Sequence, residues 1–286
     1  MPLYTMSEML EDAKKRKYGV GFYNAVNFDM ARSCIRAAED LKSPIIIGTA
    51  EGLLGYSDFD WVAPMSLEAA RNAKVPVAVH LDHAYQKDTV LKALRYGFGS
   101  VMFDGSSLPI DENIKISAEL VEIAHAMGAG VECELGKVGG LAEGEEGEIA
   151  ETHYTETKDV AMFMEKTGVD FLAISIGTTH GVFKEPPKLD LNRLAEIRSI
   201  TDTYLVLHGG SGLSDQDFKN CIAGGIQKIN IFTDMINIAM ETAREKSIIG
   251  EITEGIEYME LLKATENAMY DVVVHKIKTF GSEGMA

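Results

Sequence analysis

Eight short apolar runs, separated by helical patterns, predict an α/β fold: a (β/α)8 TIM barrel with an additional C-terminal helix. Three observations carry that prediction. The runs fall at 19–23, 44–49, 75–81, 98–103, 130–135, 169–176, 204–208 and 226–231, each short and apolar enough to be a strand buried on both faces of a parallel sheet. Between them, apolar residues recur at helical spacing, and alternation of strand with helix makes a parallel sheet. Several runs end in polar, glycine-rich sequence, as barrel strands do where they present a site at their C-terminal ends. An open doubly wound sheet is the alternative topology. The chain has 286 residues, 46% of them hydrophobic, which predicts one barrel domain over 1–286 with a sizeable core.

The helical segments follow in order at 28–42, 88–97, 111–128, 158–168, 190–200 and 214–224, with a last long helix at 258–278. In 88–97, Asp88 is a candidate cap, Val90, Leu91 and Leu94 share a face, and Gly97 is a terminator. In 214–224, Ser214 and Asp217 have the spacing of a capping box, Phe218, Cys221 and Ile222 form the apolar stripe, and Gly224 ends it. One stretch breaks the alternation. Residues 136–157 are rich in Gly and Glu, a composition that suits a solvated acidic loop or a lid over a site.

Composition excludes several roles. A net charge of −17 argues against nucleic acid or an anionic membrane as partner. Cys34, Cys133 and Cys221 are odd in number and far apart, so they read as reduced thiols in a cytoplasmic core. The N-terminus lacks a basic region followed by an apolar run, and no stretch approaches the roughly 18 apolar residues that span a bilayer.

Ionisable side chains gather at the strand ends. The third run leads into His80, Asp82 and His83, the fourth into Asp104, and the fifth carries Glu132 and Glu134. His180 follows the sixth, His208 ends the seventh, and Asn230 ends the eighth. Singly, each is explained as a satisfied buried polar group. Together they are not, because burying so many ionisable groups in one place is costly without a metal or ligand. Neutral imidazole is the commonest zinc ligand, and three protein donors plus an open position is the usual catalytic zinc arrangement. On a regular strand Asp82 and His83 point to opposite sides, whereas Glu132 and Glu134 share one. Gly209, Gly210 and Ser211 form a turn whose N–H groups suit phosphate. His125 and His275 lie in helical patterns and His153 in the acidic stretch, and none is given a role.

The motifs in sequence are His80-Leu-Asp82-His83, Val-Met-Phe-Asp104-Gly-Ser, Glu132-Cys-Glu134-Leu-Gly with Gly139-Gly140, Gly-Thr-Thr-His180-Gly, Leu-His208-Gly-Gly-Ser211-Gly and Lys228-Ile-Asn230. In this order the chain resembles the class II, metal-dependent ketose-bisphosphate aldolases, fructose- and tagatose-bisphosphate aldolases among them. The resemblance implies cleavage of a phosphorylated ketose, fructose- or tagatose-1,6-bisphosphate-like, to dihydroxyacetone phosphate and an aldehyde such as glyceraldehyde 3-phosphate. It implies Zn2+ on His83, His180 and His208, with Asp82 as acid/base and with Glu134 and Asp104 at a second site for a divalent or monovalent cation. It places Asn27, Gly181, Lys184, Gly209, Gly210, Ser211, Asn230 and Thr233 against the substrate, and it implies a homo-oligomer, dimer or tetramer.

The chain departs from that pattern at three places. Ala142 stands where the family carries a glutamate that moves the carbon-bound proton, so Glu143 and Glu145 become the candidates for that role. Ala50 stands where a phosphate-contacting serine is common, and Phe232 precedes the threonine of the last motif. Three other readings stay open from the sequence: a metal-dependent hydrolase on the same barrel, a binding or regulatory barrel of weak activity, and a Schiff-base aldolase using Lys228.

Overall fold

The computed structural model describes residues 3–140, 152–181, 187–249 and 256–286. Eight parallel strands close into a barrel in chain order: β1 (Val20–Asn24), β2 (Ile45–Ala50), β3 (Val77–Ala84), β4 (Ser100–Phe103), β5 (Gly130–Leu135), β6 (Phe171–Ile174), β7 (Tyr204–Leu207) and β8 (Ile226–Ile231). The closing pair is β1 with β8, in the register Val20↔Lys228 to Tyr23↔Ile231. Closure settles the topology against an open sheet. Ten α-helices are described: α1 (Met6–Arg16), α2 (Phe28–Asp40), α3 (Phe59–Asn72), α4 (Lys87–Tyr96), α5 (Ile110–Ala126), α6 (Thr157–Thr167), α7 (Leu191–Ile200), α8 (Asp215–Ala223), α9 (Thr233–Ile249) and α10 (Ile256–Phe280), with a short 3-10 turn at Glu51–Gly55. No helix among the described residues is long and apolar enough to cross a membrane.

The caps largely follow the local sequence. Ser214 and Asp217 form the capping box of α8, and Gly97 ends α4 in the left-handed conformation, at φ 93°. Asp88 is not the cap of α4. Gln86 holds that place and Asp88 lies in the first turn, where its charge faces the positive end of the helix dipole. The acidic stretch is tied at its base by paired backbone hydrogen bonds between Lys137 and His153. Cys34, Cys133 and Cys221 are all free and buried.

Two apolar cores result. The larger lies between strands and helices. The smaller fills the N-terminal end of the barrel, where inward-facing Phe22, Ile46, Ala78, Met102, Phe171, Ala173 and Val206 meet Met6, Met9, Leu10 and Ala13 of α1. Helix α1 therefore plugs that end. Its Thr5–Glu8 capping box starts the helix immediately before the apolar stripe, so the plug is fixed at both its cap and its face. Burying apolar area releases about 25 cal/mol per Å², so this end of the barrel is where the inward side chains stabilise the fold.

Candidate active site

Strand side chains alternate between faces, and inside this barrel the alternation runs from apolar to ionisable. Above Phe22, β1 turns Asn24 inward. Above Ala78, β3 turns His80 and then Asp82 inward. Strand β5 contributes Glu132 and Glu134, and β8 contributes Lys228 and Asn230. Asp104 and His208 follow Met102 and Val206 by two residues. Each of these polar side chains is buried, with Asp104 the most exposed at 8%.

His83 breaks the alternation. A regular pleat would send it outward, opposite to Asp82. Instead its φ is 35°, and the β3–β4 register shifts between Leu81 and Ala84. The bulge turns the imidazole back over the barrel mouth. A left-handed conformation costs a residue with a Cβ roughly 1–2 kcal/mol, and such outliers persist where surrounding contacts hold them. Here His83 Nδ1 lies 2.8 Å from Asp104 Oδ2.

The imidazoles of His83, His180 and His208 offer ligand atoms within 4.8 Å of one another. His83 Nδ1 donates to Asp104, and His208 Nε2 donates to Glu132 Oε1 at 2.8 Å. His83 Nε2 and His208 Nδ1 face each other at 2.9 Å. Two nitrogens at that distance share a cation, either a proton or a metal ion. On His208 and His180 a proton is disfavoured: burial, then charge on the neighbouring His83, holds His208 well below the usual histidine range and pushes His180 down to about 3. His180 Nε2 is itself buried without a hydrogen-bond partner. The residues therefore fit a metal ion, and carboxylates on the far nitrogens are the usual way a protein orients metal-binding histidines.

His83, Asp104 and Glu134 form a second group with metal-ligand spacing. Burial would raise Asp104, but hydrogen bonds and charge from His83, with Ser106, hold it below the ordinary carboxylate range. Glu134 goes the other way, raised to about 8 by burial and then by the Asp104 charge. One oxygen of Glu134 accepts from Val138 N–H at 2.9 Å, and the other is buried without a hydrogen-bond partner.

Asp82 is held from both sides. Asn230 donates to Oδ1 at 3.0 Å and Asn24 donates to Oδ2 at 3.2 Å. Burial disfavours its charge, but His83, Lys228 and His208 outweigh burial and its pKa falls below the ordinary value. The group is an ionised carboxylate, oriented by two amides, beside the metal-competent histidines.

Beneath it lies an ion pair. Lys228 Nζ donates to Glu132 Oε2 at 2.8 Å and sits 4.7 Å from the centre of the Phe22 ring. Both partners are fully buried. Its amine is committed to Glu132, which in turn orients His208, so a Schiff-base role finds no support. Breaking a buried pair leaves an uncompensated charge and costs roughly 3–5 kcal/mol. Lys228→Met is expected to lower unfolding free energy by about that amount in denaturant melts. The double variant Lys228→Met, Glu132→Gln should recover part of the loss, because no lone charge remains.

His180 stands on the loop after β6, fixed by its neighbour after β5. Its N–H donates to Gly139 O at 2.7 Å. Gly140 has φ 90°, and a Cβ there would lie 2.4 Å from His180 O, so the pairing of the two loops requires glycine. Gly209 and Gly210 are equally confined: a Cβ would meet Thr179 O at 2.6 Å or Asn230 O at 2.8 Å. Ser211 Oγ accepts from Phe232 and Asp234 N–H, tying the glycine turn to the start of α9, where Thr233 is the first residue.

Not every expected residue faces the site. Asn27 is exposed and spends its Oδ1 on Met30 N–H as the cap of α2. The amide that reaches Asp82 belongs to Asn24, which sequence reasoning passed over although it has the same inward parity as Val20 and Phe22. His80 is also inward, with Nδ1 2.9 Å from Ser100 Oγ, and lies below the metal-competent group. Gly181 is at the rim, with φ 84° and open space where a Cβ would be. Glu143, Glu145 and Lys184 lie outside the described residues.

Comparison with known proteins agrees with this geometry. The profile of the family described as fructose-bisphosphate aldolase class-II matches residues 4–285. The chain is 38% identical over 290 residues to the probable fructose-bisphosphate aldolase of Bacillus subtilis strain 168, covering 100% of both proteins. It is 36% identical over 278 residues to the sulfofructosephosphate aldolase of Alkalicoccus urumqiensis, covering 97% of this chain and 96% of that protein. The crystal structure of the YdjI aldolase from Escherichia coli K12 matches with a TM-score of 0.88 and 33% identity over 100% of both chains. A closed barrel, three convergent histidines and a family match over nearly the whole length meet in one conclusion: the chain belongs to the class II fructose-bisphosphate aldolases, which are metal-dependent carbon–carbon lyases.

Proposed function

We propose that this aldolase is zinc-dependent and reversibly cleaves a phosphorylated ketose to dihydroxyacetone phosphate and an aldehyde. The observation that carries the reading is the pair of inward imidazole nitrogens at 2.9 Å, with the buried His180 Nε2, which has no hydrogen-bond partner, alongside. His83, His180 and His208 would hold the ion, and Zn2+ there supplies Lewis-acid stabilisation of the negative charge that develops on the ketone side of the breaking bond. Asp82 accepts the proton of the C4 hydroxyl as the C3–C4 bond breaks. That carbon becomes the aldehyde, and the bonding electron pair moves toward C3 and the ketone. Asn24 and Asn230 keep Asp82 aimed, so its proton transfer starts from a fixed geometry.

The phosphate falls to the glycine turn 209–212, Gly181 and the start of α9, with Ser211 and Thr233 alongside. Positive φ at Gly209 and Gly212 shapes a turn whose N–H groups can converge on an anion. Lys184 is assigned to the same phosphate on sequence grounds. Relatives named fructose-bisphosphate and sulfofructosephosphate aldolases support a ketose phosphate as substrate. Metal-loaded protein offered a panel of ketose phosphates should release dihydroxyacetone phosphate, read by coupled reduction. Release of inorganic phosphate or another hydrolysis product in its place would reject the aldolase reading.

A proton delivered to C3 completes dihydroxyacetone phosphate, and Glu143 or Glu145 is proposed to carry it. Exchange of that carbon-bound hydrogen with deuterium from solvent should slow in Glu143→Ala or Glu145→Ala. Parental exchange in both variants would leave the two glutamates without that role.

A further inference from the structure

The barrel order places β2 and β3 across the mouth from β6 and β7, and the two sides are not equivalent toward anions. On the β6–β8 side, Gly181, Gly209 and Gly212 all have positive φ. Among the described residues, the N–H groups of 209–212 enter no backbone hydrogen bond. Successive free N–H groups in such a turn form an anion nest.

On the β1–β3 side the donors at the starts of α2 and α4 are already taken by the chain. Asn27 Oδ1 holds Met30 N–H at the start of α2. Glu51 Oε2 holds both Tyr85 N–H, at 2.9 Å, and Gln86 N–H, at 3.1 Å. Gln86 is the cap of α4, so a carboxylate of the protein sits where a helix N-terminus would otherwise attract a phosphate. Ala50, which pairs with Asp82 in the β2–β3 register, brings only a methyl group. Arg32 and Lys87 are the only Lys or Arg in the N-terminal halves of α2, α3 and α4. Arg32 is paired with Glu266 and Asp29, and Lys87 with Glu119.

Given the aldolase reading, on which this step rests, Asp82 marks C4 and the nest marks the C1 phosphate. The remainder of the sugar then runs past Asp82 onto the β1–β3 rim, where Glu51 stands. We infer that the substrate is a ketose carrying phosphate at C1 only, with a neutral, hydroxylated far end, and that Glu51 is a specificity-determining residue. A second phosphate would meet the like charge of Glu51, with the donors beside it at the start of α4 spent, whereas a hydroxyl finds an acceptor.

The condensation direction tests this directly. Zinc-loaded protein is given dihydroxyacetone phosphate with D- or L-glyceraldehyde, or with the corresponding glyceraldehyde 3-phosphates, and ketose formation is followed. The expected result is kcat/KM at least roughly tenfold higher for a neutral aldehyde, the scale of a like-charge contact. Equal or better use of a phosphorylated aldehyde overturns the inference and leaves the aldolase reading intact. Condensation with neither kind overturns both. Glu51→Gln sharpens the test. Both N–H groups use one oxygen, so the glutamine carbonyl can keep both bonds while the charge is lost. The ratio of neutral to phosphorylated aldehyde use should fall several-fold in this variant, and an unchanged ratio removes Glu51 from the discrimination.

Discussion

Asp82→Asn is expected to cut turnover by roughly 10²–10⁴-fold, the range for losing a positioned general acid/base, with metal content close to that of the parent. Asn24 and Asn230 each donate to one oxygen of Asp82. An asparagine can accept only through its carbonyl, so one of the two bonds becomes an N–H facing an N–H. The loss therefore has two parts, a missing base and a disturbed orientation. Asp82→Glu separates them: it restores the base but displaces it by a methylene, and turnover should recover only in part. Asp82 stands outside the group of His83, His180 and His208, so elemental analysis of the variant should find zinc at the parental level. Parental turnover in Asp82→Asn would mean that another group moves the C4 hydroxyl proton.

Dialysis against a strong chelator should abolish activity, lower the melting temperature, and allow both to return on adding zinc. The stability change follows from linkage. A ligand that binds only the folded state at 100 times its Kd contributes about 2.7 kcal/mol. His208→Ala removes one donor outright. Its metal affinity should fall by more than the roughly 10–100-fold typical of losing an outer hydrogen-bond partner. Equal zinc occupancy in parent and variant would show that His208 is not a ligand. Full activity of metal-free protein, with borohydride trapping at Lys228, would replace the metal mechanism altogether.

The barrel was legible because buried parallel strands have little freedom in composition. All eight apolar runs became strands, within a residue or two at most boundaries. Three helices were not legible. Helix α1 carries six charged residues in its eleven, which masks the stripe of Met6, Met9, Leu10 and Ala13. Helix α3 contains Pro64 in its second turn, where the residue removes an i→i−4 hydrogen bond and reads as a breaker. Helix α9 is followed by polar, glycine-containing sequence and lacks an apolar stripe of clear period.

At the site, residues with inward parity could be read and those placed by irregular backbone could not. Glu132, Glu134, Asp82 and Asn230 follow the period of two. Asn24 follows it too, and counting from Phe22 would have preferred it to Asn27. His83 could not be placed, because a bulge is set by pairing with β4, which no local pattern records. The Lys228–Glu132 pair joins residues 96 apart in sequence. Each residue was visible as a charge in a strand, but not that the two neutralise each other under the histidines.

The plug formed by α1 leaves the barrel a blind-ended well. Substrate, water and metal must share one doorway, and what enters first is trapped by what enters next. A sugar phosphate in the mouth would then act as a kinetic lock on the ion: metal lost readily from the empty enzyme would be retained during turnover, and a chelator would compete with substrate for the doorway without touching the sugar.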